Sequence, residues 1–587
     1  MRKFYSFIRE FKIPKKAELN EVFHSFSKKE VFVLITFTVV FAVTILIMLQ
    51  RINNHFTIEV PASGGSLTEG VIGTPRFINP LLAISEADKD MTTLVYSGLM
   101  RKMPNGELIP DLAKSYEISS NGLIYTFHLK DKIYFQDNTP VTADDVVFTI
   151  TKAKDTGLKS PRAANWTGVN AEKIDANTVR LTLKQPYASF LDYTTIGILP
   201  EHLWQNLSDE EWSFSNLNTK SIGSGPYKIN SISNKSTGIP DYYKLIPFNK
   251  FALGKPYINN LEIKFYANEK DLLIGLENGE VESVGGIDGE QAEKLSGSGY
   301  NVESVPLPRI FGLFLNANQA QIFSDPAVAK AMNLAIDKNK IVKEILHRYG
   351  TSIDSPIPPN MLIYTDMSGN NSTISDNTQS SDPQAAKNIL TKDGWIPDAS
   401  GIMSKKVGKK PVMQLTFSIS TGDTQELKQT AQYIKDDLAK IGIQVDIKPY
   451  EVGSLNQSVI RPRKYDALLF GQIISHDSDL YAFWHSSQRN DPGLNVSMYT
   501  SSKADKILES AITTQDENDR SEKYLAFADE IKKDMPAIFI YSPKFVYVVP
   551  NDIYGLKLNH ITTNADRFNT IYSWYIQTDK IWKIFSK

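Results

Sequence analysis

Residues 112–150, LAKSYEISSNGLIYTFHLKDKIYFQDNTPVTADDVVFTI, leave the chain few choices. Asn121-Gly122 is a two-residue hairpin turn, because both residues tolerate positive φ. Leu123, Tyr125, Phe127 and Leu129 then alternate with Ile124, Thr126, His128 and Lys130, the period-two pattern of a strand with one apolar face. Tyr116 and Ile118 pair back across the turn, and Ile133 and Phe135 predict a further short strand. Pro140 breaks the sheet. Thr142 is placed to cap a helix, with Asp145 three residues on as a shortened capping box. Asp144 and Asp145 lie in the first helical turn, where the macrodipole favours carboxylates. Val146, Val147 and Ile150 give that helix a buried side.

A second stretch decides where the chain can live. Residues 31–49, VFVLITFTVVFAVTILIML, are uncharged and apolar. At the helical rise they span about 28 Å, one hydrocarbon core. Arg2, Lys3, Arg9, Lys12, Lys15, Lys16, Lys28 and Lys29 precede them, and only Arg51 follows closely. The positive-inside rule puts residues 1–30 in the cytoplasm and the large body outside the cell membrane. A cleaved signal peptide is the rival reading, but the leader and the apolar core are both too long for one. An uncleaved single-pass anchor is therefore expected, with residues 50–65 as a polar tether.

With 587 residues, several structural domains are expected. Hydrophobic residues at 41% and charged residues at 22% fit an ordinary globular protein, and the net charge of −2 argues against nucleic acid as a partner. The chain has no cysteine, which excludes disulfides, thiolate metal sites, a Cys nucleophile and a lipid-modified cysteine anchor. The eight histidines are scattered; His476 and His485 are too far apart for a helical ligand pair. There is no G-x-S-x-G elbow. The acidic pairs Asp144/Asp145 and Asp436/Asp437 read as helix-end or surface charges. Gly223-Ser224-Gly225-Pro226 lacks the Lys-Ser/Thr of a phosphate loop. No catalytic residue, metal ligand or cofactor is expected.

The 112–150 stretch also resembles the signature of the family 5 extracellular solute-binding proteins, the peptide- and nickel-binding components of ABC importers. Leu112, Ala113, Gly122, Tyr125, Phe127, Leu129, Phe135, Pro140, Ala143, Asp145, Val146 and Phe148 carry it; Lys130 stands where Arg is commoner and Asn138 where Gly is usual. Asn79-Pro80-Leu81, Tyr96-Ser97-Gly98-Leu99, residues 199–203 (LPEHL) and residues 222–227 (IGSGPY) match further family segments. So do Asp325, Val328, Ala331, Ala335, Ile336 and Asp337, although Ala329 replaces an Arg of that pattern. The resemblance implies an α/β, two-lobe periplasmic-binding-protein-like fold of type II. Lobe 1 is expected at 66–308, with an extra subdomain at about 100–215, and lobe 2 at 309–534. Residues 535–587 return to lobe 1 and end in an aromatic tail that finds no place in the pattern.

The same resemblance implies a solute-binding protein that closes on an oligopeptide or other small solute and delivers it to ABC permease subunits, not an enzyme. A sensor ectodomain or a cell-surface peptide hydrolase is the alternative. The bilayer, through residues 31–49, is the remaining partner. Candidate ligand-binding residues are Asn79, Arg309, Phe311, Asn316, Gly471, Gln472, Ile474, Ser475, Asp477 and Trp484. In peptide-binding relatives a carboxylate pairs with the ligand's ammonium group, and the alignment puts Ile474 at that position. Either Asp477 substitutes for it or the ligand has no free amino terminus; Asp477 also reads as a helix N-cap. Arg309 is suited to a ligand carboxylate or to an inter-lobe salt bridge. Trp166 and Trp484 are pocket walls or ordinary core.

Overall fold

The computed structural model describes residues 25–585, apart from residues 188, 360, 362, 366–370, 374–379, 407, 409 and 410. Most of the expected cytoplasmic segment, and most of the polar loop at 364–382, lie outside the described residues. Two units separate: residues 1–62 with 577–587, and residues 63–576.

The first unit is built on the helix Lys28–Phe56. Ser27 and Glu30 form a capping box at its start. Within the apolar run the hydroxyls of Thr36, Thr38 and Thr44 each donate to the carbonyl four residues back, at 2.8 Å. That leaves the run no side-chain hydroxyl donor facing outward without a partner, the condition hydrocarbon imposes. It is the one helix among the described residues long and apolar enough to cross a membrane. The stretch read as a tether is not loose chain. The helix continues to Phe56, and the strand Thr57–Ala62 pairs antiparallel with the C-terminal strand Gln577–Trp582.

The second unit carries a 12-stranded mixed sheet. One strand organises it. Ala537–Val548 pairs along its first half with Arg309–Leu315 and along its second half with Val302–Pro306. The apolar cores change hands at the same point. One core takes residues up to Val305 and resumes at Phe545; two others begin at Ile310 and end at Tyr541. The chain therefore crosses between two lobes at two neighbouring places, residues 306–309 and 542–544. There the Leu307 N–H donates to the Pro543 carbonyl at 3.0 Å, and Ser542 Oγ to the Leu307 carbonyl at 3.1 Å.

Lobe 1 bears a four-stranded antiparallel sheet that contains the expected hairpin. Its order is Ala113–Ile118, Ile124–Leu129, Thr178–Thr182, Asn170–Asp175. Ile118 pairs with Tyr125 and Tyr116 with Phe127 across a turn whose Gly122 has φ +66°. The capping box of Thr142 and Asp145 starts the helix Ala143–Ala153. The short strand expected at Ile133 and Phe135 does not form. Only an isolated bridge, Tyr134 to Pro140, joins the two sides of a tight turn at Asn138, which leaves no length for a ladder. Two glycines of the IGSGPY segment have a steric reason. A Cβ on Gly223 would lie 2.2 Å from the Val95 carbonyl oxygen, and one on Gly225 2.5 Å from the Val95 carbonyl carbon. Gln136 locks this contact, donating to the carbonyls of Val95, Gly225 and Tyr227.

Candidate functional site

A partly enclosed cavity of about 230 Å³ lies beside the helix Glu86–Val95. Its walls come almost wholly from lobe 1; His476 is the lobe-2 residue that reaches it. The helix Glu86–Val95, capped by Ser85 and Asp88, supplies Lys89, Thr92 and Thr93. The chain that follows supplies Tyr96, Gly98, Met100, Arg101 and Lys102. Gly98 is required, since a Cβ there would lie 2.6 Å from the Thr195 backbone. Arg162, Asp192, Tyr193 and the segment 562–569 complete the enclosure.

The charges are paired but not all satisfied. Arg101 holds Asp111 through Nε and Nη2, at 2.8 and 2.7 Å, and stacks over Phe251. The other Asp111 oxygen is buried with no hydrogen-bond partner among the described residues. Lys102 Nζ lies 3.3 Å from Asp192 Oδ1 and 3.5 Å from Thr562 Oγ1. Arg162 keeps surface open, yet the protein around its guanidinium lowers its pKa, with the charge of Asp566 opposing the shift. Four cationic side chains (Lys89, Arg101, Lys102 and Arg162) thus line the cavity against the carboxylates of Asp111, Asp192 and Asp566. Such a lining suits a small zwitterionic or polar guest, because any incoming charge finds a complementary partner without a long rearrangement.

The cavity mouth is where the lobes meet. His476 Nδ1 is 3.8 Å from Asp192 Oδ1, and its ring stands edge-on to Tyr193 at 5.7 Å. Tyr193 and Tyr187 share a hydrogen bond at 2.8 Å, and Tyr187 reaches Ser478 Oγ at 2.5 Å. Ser189 Oγ donates to Asp477 Oδ1 at 2.8 Å. The other Asp477 oxygen accepts from Arg520 Nε at 2.7 Å. Burial raises the pKa of both Tyr187 and Tyr193, so their hydroxyls keep their protons and remain donors. Tyr187, Ser189, Asp192 and Tyr193 of lobe 1 and His476, Asp477 and Ser478 of lobe 2 therefore form a polar latch.

None of the ten residues singled out from the sequence lines the cavity; their neighbours Pro80 and His476 do. Asn79 is buried, accepts from the Leu81 N–H and donates to Asn218, a turn-forming role. Asn316 is likewise buried and donates to the Arg463 carbonyl. Phe311 stacks on Tyr541 with centroids 4.9 Å apart, and Gly471 leaves room for that ring. Ile474 and Trp484 are fully buried in a lobe-2 core, so Ile474 does not occupy a cleft position: the strand's alternation turns it inward. Ser475 is half-buried beside it. Asp477 does not cap the following helix, whose N-cap is Ser478; it holds the latch instead. Arg309 makes no salt bridge among the described residues. Its Nε, like the Gln472 Oε1 on the neighbouring strand, is buried without a partner there. The cavity residues Arg101 and Lys102 follow the Tyr96-Ser97-Gly98-Leu99 match after Met100, a usable signal. Arg162 and Asp192 sit in no recognisable pattern.

Two lobes, two crossings and a cavity closed by a side chain from the opposite lobe define a solute-binding protein. The chain belongs to the bacterial extracellular solute-binding proteins, family 5, whose "Middle" model matches residues 107–492, well over half of it. It is 28% identical to the oligopeptide-binding protein AppA of Bacillus subtilis over 528 residues, 88% of this chain and 92% of that one. Its fold matches the ABC transporter substrate-binding protein CtaP of Listeria monocytogenes with a TM-score of 0.72 at 26% identity, covering 87% of this chain and 99% of the other. NikZ of Campylobacter jejuni, solved with Ni(L-His), matches with a TM-score of 0.66 at 27% identity over 87% and 99% of the two chains.

Proposed function

We propose that this protein is a membrane-anchored receptor that captures a peptide outside the cell membrane, closes its lobes around it and presents it to an ABC permease. The observation that carries the reading is the placement of His476. A guest in the lobe-1 cavity meets lobe 2 through this side chain and the adjoining latch, so a bound guest adds contacts that exist only when the lobes are together. Binding then shifts the population towards closure. The kinship with an oligopeptide-binding protein supports a peptide guest, whose charged termini suit the mixed cationic and acidic walls.

The volume of about 230 Å³ lies just below the usual range of ligand pockets, about 300–1,000 Å³. A short peptide, or the end of a longer one, fits this enclosure better than a bulky chain. The uninterrupted apolar helix supports a retained anchor, which replaces free diffusion by a high effective concentration near the permease.

Native mass spectrometry of the full chain, released from detergent, tests this reading. Co-purified short peptides, removed by dialysis and restored by rebinding, are the expected result. If neither peptides nor other small solutes raise the melting temperature or compact the chain in scattering profiles, the reading fails. Turnover of a peptide pool by the purified protein would replace it with a hydrolase.

A further inference from the structure

The C-terminal tail lies beside the end of the apolar helix. The strand Gln577–Trp582 runs antiparallel to Thr57–Ala62, and the last pair of the ladder is Thr57 with Trp582. Thr57 is the residue that caps the helix. Trp582 Nε1 donates to Asn53 Oδ1 at 3.1 Å, one turn inside the helix, and its ring stacks on Phe56 with centroids 6.3 Å apart. The chain then makes a 3₁₀ turn, Lys583–Phe585, after a strand that runs back towards the helix end. Ile584 is 77% exposed and Phe585 72%. Trp582 and Phe56 beside them are about half exposed. Four large apolar side chains gathered at one end of a narrow two-stranded ribbon need a solvent other than water.

Depth arithmetic names that solvent. The apolar run ends at Leu49, so Asn53 stands about 6 Å beyond the hydrocarbon boundary. The headgroup layer is roughly 5–8 Å thick on each side. Trp582 is thereby held at headgroup level, where tryptophan's amphipathic ring is most favourable. Three residues of 3₁₀ helix cover about 6 Å, enough to bring Ile584 and Phe585 to the acyl boundary. Charge is the smaller contribution, since Lys580 already faces Glu59 at 3.7 Å.

We propose that Trp582, Ile584 and Phe585 form a second membrane contact, seated in the outer headgroup layer against the emerging helix. The proposal rests on the reading of residues 31–49 as a retained anchor, and the experiment separates the two. Trp582 is a built-in reporter, because the chain's other six tryptophans, at 166, 204, 212, 395, 484 and 574, are fully buried. The full chain is reconstituted into phosphatidylcholine–phosphatidylglycerol vesicles carrying lipids brominated near the top of the acyl chains. The expected result is loss of the Trp582 emission, read as the difference between the native chain and Trp582→Phe. The double substitution Ile584→Glu with Phe585→Glu restores that emission and opens it to aqueous acrylamide. A native Trp582 quenched by acrylamide but not by bromolipid, or by neither, overturns the proposal. Flotation after an alkaline wash, with intact mass, checks the anchor. A chain that floats at full mass with an unquenched Trp582 defeats the tail contact alone, whereas a chain shortened at its N-terminus or washed off the vesicles defeats both.

Discussion

Two arginines with carboxylate partners do opposite work in this protein. Arg567 is buried in lobe 1 and spends all five guanidinium N–H groups, on Glu69, Asp90 and the Asn564 carbonyl. Both carboxylates are at most 2% exposed, and Tyr547 and Ser283 also donate to Glu69. Burial opposes the Arg567 charge, but Asp90 and Glu69 outweigh it and its pKa rises. Arg520 lies at the rim of lobe 2, holds one oxygen of Asp477 and leaves the other to Ser189 of lobe 1. The first cluster is closed on itself and welds one lobe. The second is complete only when both lobes contribute. Charge that is fully satisfied within a lobe supports the fold; charge whose last partner comes from across the cleft can report the state of the cleft.

Substitutions can break this contrast. Arg567→Met leaves two buried carboxylates facing each other without a cation, and should cost about 3–5 kcal/mol of folding stability in denaturant melts. Adding Glu69→Gln and Asp90→Asn should recover part of it. Asp477→Ala removes the latch and should weaken closure by about 1.5–3 kcal/mol, seen as a larger radius of gyration in the liganded state and faster ligand release. The melting temperature of the unliganded chain should move far less than in Arg567→Met. His476→Ala should lower ligand affinity by about 0.5–1.5 kcal/mol with no change in that melting temperature. Equal loss of stability at Arg567 and Asp477 would erase the distinction.

The smallest effect concerns pH. Burial, and then the charge of Lys102, lower the pKa of His560 below its ordinary 6.5. Below 6.5 the unfolded chain takes up a proton that the folded chain refuses. Stability should therefore fall as pH drops from 6.5 to the folded-state value and then level off. His560→Gln should flatten that part of the profile, measured by thermal melts between about pH 7.5 and 5.

How much of this was legible depended on whether the signal was local. The hairpin around Asn121-Gly122, the capping box at Thr142 and the Asp325-Pro326 helix start are each written in a few adjacent residues, and each forms. The hairpin loop is nevertheless wider than two residues: Ser119 N–H donates to the Ile124 carbonyl, Gly122 N–H to the Ser119 carbonyl, and Gly122 alone takes positive φ. The spacing of Leu427, Ala431, Ile434 and Leu438 marks a helix, Gln425–Ala439, whose C-cap is Lys440 and not the glycine that follows at Gly442, φ +79°. Strand ends were less legible: nothing local marks Leu307-Pro308 as the place where Val302–Pro306 ends, Arg309–Leu315 begins and the lobes part. The cavity was legible only in part. Trp166, offered as a pocket wall, does line it, and Pro80 and His476 adjoin residues chosen by pattern, but Arg162 and Asp192 meet Arg101 and Lys102 only through the fold of a subdomain. Ile474 shows the converse. Its position in an alignment says nothing about which side of the chain its Cβ leaves, and here it is fully buried in a lobe-2 core. The tail was illegible for the same reason, since its partner strand lies at the other end of the chain.

That last pairing sets a clock on biosynthesis. The edge at Thr57–Ala62 leaves the ribosome hundreds of residues before Gln577–Trp582 exists, an interval of roughly half a minute to two minutes at about 5–20 residues per second. Meanwhile Pro61, which offers no N–H, makes the waiting edge a poor template for stray strands. A nascent chain stopped short of residue 577 would never zip this ribbon, and the edge Thr57–Ala62 would stay unpaired.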